Sequence, residues 1–215
     1  GVEASHLFGT MHMSDPRVVK LPPAAQAAFD AAETIVIETT DVLDQAKMSE
    51  MVLARPDLMM FTDATALPDL LSPEDEALVE QALDRRGIPL EAVKKMKPWM
   101  LSALAAFPAC ELSRKAEGAP VLDVKLAADA KAAGKALAGL ESMVDQLEAM
   151  ASLPMEFHIR GLVETLRLGD RIDDVMETMI LLYLDGDTGM FWPFFEATMP
   201  SGSDGEGYAA FQEAM

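Results

Sequence analysis

The residue types in this chain that could do chemistry gather around one histidine. His12 ends the segment Gly9-Thr10-Met11-His12, and Asp15 follows three residues later. Glycine allows backbone to approach a ligand closely, and imidazole is the commonest nitrogen ligand of a divalent metal. A lone glycine three residues before a histidine also suits a structural imidazole in a loop, and the residues alone leave both readings open. Glu38 closes the β-branched run Thr34-Ile35-Val36-Ile37, and a carboxylate placed there must find a cation, hydrogen-bond donors or water. A helix cap or a surface ion pair would satisfy it equally. Glu141 closes Lys135-Ala136-Leu137-Ala138-Gly139-Leu140 in the same way. One imidazole with two carboxylates suits manganese, iron, cobalt or zinc, and such an ion can activate water for hydrolysis.

Other candidates have weaker spacing. His6 reads as a strand-start residue, and His158 lies in a helical segment, Met155-Glu156-Phe157-His158-Ile159-Arg160, away from any strand end. Cys110 is the only cysteine, which excludes an intrachain disulfide and a zinc site built from several thiolates. Its apolar neighbourhood, from Leu101 to Ala109, predicts buried filler rather than a nucleophile. The 16 methionines are scattered over helical apolar positions, as core packing requires, and do not form a copper-binding run. No Gly-x-Ser-x-Gly elbow, phosphate loop or dinucleotide fingerprint is present.

The elements that must position these groups follow from hydropathy patterning. Residues 5–10 read as a short buried strand, followed by a loop through Pro16 that carries His12. Pro22-Pro23 opens a helix that runs to about Ala32, and residues 34–38 form a second strand, buried on both faces. Strand, helix and strand predict a parallel pair with a right-handed crossover, so that His12 and Glu38 meet on one rim of the sheet. An alanine-rich helix over residues 121–133 ends at Gly134, and residues 135–141 give a third strand. Ser72 reads as the N-cap of a helix that begins at Pro73, so Glu74, Asp75 and Glu76 serve its dipole. The expected fold is one α/β domain over residues 1–215: a small parallel or mixed sheet with a large helical layer or insertion at about 42–134. Near the end, residues 200–207 read as a flexible polar stretch and 208–215 as an unfinished helix.

The composition limits the partners. With 215 residues, half of them hydrophobic, the chain can bury a core without staples. A formal charge of −19 argues against nucleic acid and anionic membranes as partners, because a phosphate-binding surface needs clustered cations. No run is long enough to span a bilayer, and the abrupt start suggests a mature boundary from which a leader was removed.

Taken in order, Leu7-Phe8-Gly9-Thr10-Met11-His12, Leu21-Pro22-Pro23 and Ile35-Val36-Ile37-Glu38 resemble the opening of the TraB/PrgY/GumN proteins. The resemblance continues through Lys97-Pro98-Trp99, Val121-Leu122-Asp123 and Gly139-Leu140-Glu141. It implies kinship with the TIKI metalloproteases, and with it a metal-dependent hydrolase, most simply a peptidase. The resemblance implies His12 as a metal ligand and Glu38 as ligand or general base; Glu141 matches a family glutamate and is taken as a second catalytic carboxylate. Gly9, Asp123 and Lys97 are implied near the cleft. It also implies manganese, cobalt or zinc, a peptide or small-molecule substrate, and export to the periplasm or a membrane surface. Relatives continue with a second Gly-x-x-His segment not found here, so metal held by this chain is expected to be weak or missing. A non-catalytic peptide- or ligand-binding module on the same fold is the competing expectation.

Overall fold

The computed structural model describes residues 4–198, and the segments 200–207 and 208–215 lie outside the described residues. In chain order the elements are α1 (Pro23–Ala31), β1 (Thr34–Ile37), α2 (Gln45–Ala54), α3 (Pro73–Asp84), α4 (Leu90–Val93) and α5 (Pro98–Ala105). They continue with α6 (Ala109–Ala116), α7 (Leu122–Ala132), β2 (Ala136–Gly139), α8 (Met143–Ser152), α9 (Met155–Leu168), α10 (Ile172–Asp185) and α11 (Phe191–Thr198). The described residues form two compact units, 4–48 with 109–143 and 49–108 with 144–198.

In the first unit, β1 and β2 pair in parallel, with Thr34 opposite Ala136 and Ile37 opposite Gly139. Helix α7 packs on both strands. Its inward positions Leu122, Ala127 and Ala130 are fully buried, and their spacing keeps one small-residue face toward the sheet. Gly134, at φ +69°, ends this helix in the left-handed region that costs glycine least. The end of α1 is closed differently. Lys135 Nζ donates to the carbonyls of Asp30 and Ala32 at 2.9 and 2.7 Å and lies 5.5 Å from the Phe29 ring centroid. A cation thus neutralises the helix's negative end just where β2 begins.

Two expectations for this unit are corrected. Residues 5–10 form no strand, and among the described residues the sheet has only β1 and β2. Leu7 is fully exposed and Phe8 is 38 % exposed, so burial supplies no drive for that segment to pair. The parallel partner of β1 is therefore the later strand, and His6 starts no strand. Nor is β1 buried on both faces: Ile37 is buried, whereas Val36 is about half exposed.

The second unit is helical. Its core joins Leu67, Val79, Leu83, Leu101, Leu162 and Leu166, with α9 packed against α3 and α5. Helix α3 starts as its sequence dictates: the Ser72 hydroxyl accepts the Asp75 amide at 3.1 Å. Residues 59–61 and 95–97 run beside each other through an antiparallel bridge between Met60 and Met96. Among the described residues, no helix is long and apolar enough to cross a membrane.

Candidate functional site

The site is assembled in the first unit from three places in the chain. His12 lies on the loop before α1, Glu38 follows β1, and Asp123 lies in the first turn of α7. Because α7 leads into β2 and runs back over the sheet, its N-terminus meets the C-terminal ends of the strands, where open α/β sheets present ligands. His12 Nε2 is 3.5 Å from Glu38 Oε2 and 3.5 Å from Asp123 Oδ2. One imidazole nitrogen is thus flanked by two carboxylates.

The two carboxylates differ in setting. The side chains of Glu38 and His12 are about half exposed, so water screens their attraction strongly. Asp123 is only 13 % exposed. Its Oδ1 accepts the Thr10 hydroxyl at 3.1 Å, while its buried Oδ2 accepts no hydrogen bond and faces His12 at ion-pair distance. A buried carboxylate oxygen left without a donor costs free energy unless a cation answers it. The helix N-terminus beneath it offsets part of that cost.

Buried polar groups hold the loop behind His12. Glu111, on α6, is wholly buried, and its Oε1 accepts the Ser14 amide at 2.6 Å while its Oε2 accepts Arg114 Nη1 at 2.9 Å. Ser14 Oγ donates to the Ala119 carbonyl at 3.0 Å. Asp15 accepts the backbone and guanidinium of Arg17, at 2.9 to 3.0 Å, and pairs with Arg114 Nη2 at 3.5 Å. Hydrogen bonding to Arg17 holds the Asp15 carboxyl below its ordinary value. The sequence reading missed Glu111. Its signal was faint: an acid followed by basic residues at i+3 and i+4 on an otherwise ordinary helix.

The rim after the strands is fastened in a similar way. Asp41 Oδ2 accepts the Met143 amide at 3.0 Å, and its Oδ1 accepts Lys47 Nζ at 2.5 Å. The Glu141 amide donates to the Glu38 carbonyl at 3.0 Å, so the loops after the two strands are joined through their backbones. Glu141 itself is exposed. Gly9 lies just before Thr10 with open space where a side chain would begin. Lys97 belongs to the second unit, where it stands at the N-cap position of α5 without a side-chain cap, and its amide donates to the Met59 carbonyl at 2.9 Å. His158, also in that unit, is 5 % exposed with Nε2 unpartnered, and burial pushes its pKa down. Cys110, expected to be buried, is exposed on α6, because its apolar neighbours belong to helix α5 and the turn before it.

Among the described residues, no group of three or more His, Cys, Asp or Glu side chains is placed as the ligands of one metal would be. The donor types of His12, Glu38 and Asp123 nevertheless fit a first-row divalent ion, and Asp123 Oδ2 is the kind of buried oxygen a cation would satisfy. Their present spacing is that of an ion pair.

A parallel strand pair with a large helical complement and a rim of carboxylates defines a mixed α/β protein. The chain belongs to the TraB/PrgY/gumN family, whose model matches residues 1–215. No curated protein and no solved structure matches the chain.

Proposed function

We propose that this protein is a metal-dependent hydrolase acting on peptides, with His12, Glu38 and Asp123 as the groups that hold the ion. The reading is carried by the buried Asp123 Oδ2, which has no hydrogen-bond donor and faces the same imidazole nitrogen as Glu38. When bound, a divalent ion supplies Lewis acidity, polarising a carbonyl and making water a better nucleophile near neutral pH. Thr10 fixes Asp123 by occupying Oδ1, which leaves Oδ2 for the cation. Glu38 either completes the ligand set or takes the proton from the attacking water. Glu141, on the adjoining loop, is the second group suited to that proton transfer. The strongly acidic chain draws cations toward the site. Manganese, cobalt and zinc are the proposed ions, and an exported setting, periplasmic or at a membrane surface, belongs to the same reading.

The test is metal content after dialysis against each of the three ions, together with cleavage of a mixed peptide library. His12→Ala, Glu38→Gln and Asp123→Asn should each lower both retention and cleavage. A protein that binds peptides without cleaving them, whatever the metal, is a binding module instead. Equal cleavage by His12→Ala sinks the proposal outright.

A further inference from the structure

We propose that Glu111 is the positioning residue of His12. The inference rests on the reading above only in taking His12 as a working group. Around His12 the loop is anchored on one side. Met13, Ser14, Asp15 and Val18 are buried at 4 % exposure or less, whereas Leu7 and Gly9 are exposed. The buried side is held by the Glu111 carboxylate, which accepts the Ser14 amide, two residues beyond His12, at 2.6 Å.

A short, charge-assisted bond to backbone restrains the chain more tightly than a contact to a flexible side chain. Glu111 is itself restrained. Arg114 Nη1 occupies its other oxygen at 2.9 Å, and Lys115 Nζ lies 3.5 Å from Oε1, both from the same helix. Arg114 also reaches Asp15 at 3.5 Å, so one guanidinium links the carboxylate on the helix to the carboxylate in the loop. A wholly buried glutamate is costly unless cations answer it, and here Arg114 and Lys115 do so while the carboxylate holds the Ser14 amide. His12 meets Glu38 and Asp123 only at 3.5 Å through an exposed ring, too loosely to fix that ring by themselves. Outer groups that orient a ligand typically change metal affinity by about 10–100-fold when removed.

The experiment uses the full chain without metal and then with manganese. The chain has three histidines, so the His12 ring resonances are assigned by their loss in His12→Ala. Glu111→Ala should move or split those resonances and weaken manganese binding by about 10–100-fold. Glu111→Gln keeps an acceptor for the Ser14 amide but turns its NH2 toward Arg114, so its ring shifts should be in the same direction as those of Glu111→Ala and smaller. If Glu111→Ala does not fold, Glu111→Asp, one methylene short of that amide, should give the same ring shifts. Leu101→Ala, a core truncation in the second unit, serves as a stability control and should leave the His12 ring unmoved. Unaltered ring resonances in Glu111→Ala or Glu111→Asp, or equal shifts in Leu101→Ala, overturn the proposal. A wild type that binds no manganese sinks the hydrolase reading, while the metal-free resonances still decide the role of Glu111.

Discussion

Asp123 presents two unequal oxygens: Oδ1 takes the Thr10 hydroxyl at 3.1 Å, and Oδ2, buried and without a donor, lies 3.5 Å from His12 Nε2. The asymmetry makes Asp123 the best prepared member of the site, since its orientation is set before anything binds. Asp123→Asn keeps size and the bond from Thr10 but removes the charge. It should reduce affinity for manganese or zinc by at least about tenfold, the lower bound for disturbing even a supporting group. Titration calorimetry on the folded variant checks this, and an unchanged affinity would exclude Asp123 from the ligand set.

Gly139 ends β2 against the turn after β1. A Cβ added there would stand 3.1 Å from the Thr40 amide nitrogen, which is backbone and cannot rotate away. Gly139→Ala should therefore push the two strand-end loops apart and destabilise the first unit by about 1–3 kcal/mol, as overpacking does. Gly9→Ala, where a Cβ meets nothing within 4 Å, should stay within about 0.5 kcal/mol of the wild type. Urea unfolding of both variants makes the comparison. Equal stabilities would show that the rim tolerates the displacement.

Much of this architecture was legible because it depends on local chemistry. Proline at the start of α1, Ser72 before α3 and Gly134 after α7 mark ends that the backbone must respect, and Thr34 to Ile37 carries the β-branched signature of a strand. Residues 5–10 misled because a short apolar run can look like a strand, while pairing depends on a partner elsewhere in the chain. Glu38 and Glu141 were legible as strand ends, and their loops do meet through backbone. Glu111 was not legible, because a carboxylate on an amphipathic helix reads as a solvated face until the loop it anchors is seen.

Asp41 is the fastener of the same rim. Removing its carboxylate in Asp41→Ala strips an acceptor from the Met143 amide at the start of α8 and leaves Lys47 without its partner. The hydrogen bond from the Met143 amide to this charged group contributes about 1.5–3 kcal/mol, while the ion pair with exposed Lys47 is screened by water. Its carboxyl is held below the usual 3.8, first by the Lys47 hydrogen bond and then by the Met143 amide. A depressed carboxylate stabilises the fold fully above its unfolded pKa, and the contribution is lost as pH falls through the lower folded value. The difference between wild type and Asp41→Ala should therefore be constant from pH 5 to 7 and shrink only below 3.8. Thermal midpoints across that range check it, and a gap that closes near pH 6 would assign the effect to another group.

His158 should govern a separate and milder acid range. It is 5 % exposed on α9, its Nε2 has no partner, and burial pushes its pKa below the ordinary 6.5, with Lys97 adding a smaller push in the same direction. Hydrogen bonding to the backbone of Met150 and Leu153 opposes this without reversing it. The neutral ring is therefore the folded form. Above pH 6.5 both folded and unfolded chains carry it neutral, and its contribution to stability is complete. As pH falls below that value the unfolded chain takes up the proton first, so stability declines until the folded pKa is passed. For a single proton the slope cannot exceed about 1.4 kcal/mol per pH unit. His158→Gln keeps a donor for the Met150 and Leu153 backbone but does not titrate, so its urea-unfolding free energy should be flatter than that of the wild type between pH 6.5 and 4.5. Asp15 and Asp41, whose carboxyls are held below 3.8, keep their contributions over that window, so the slope there reports on His158. Identical slopes for the two proteins above pH 4.5 would show that His158 accepts its proton within the fold without cost.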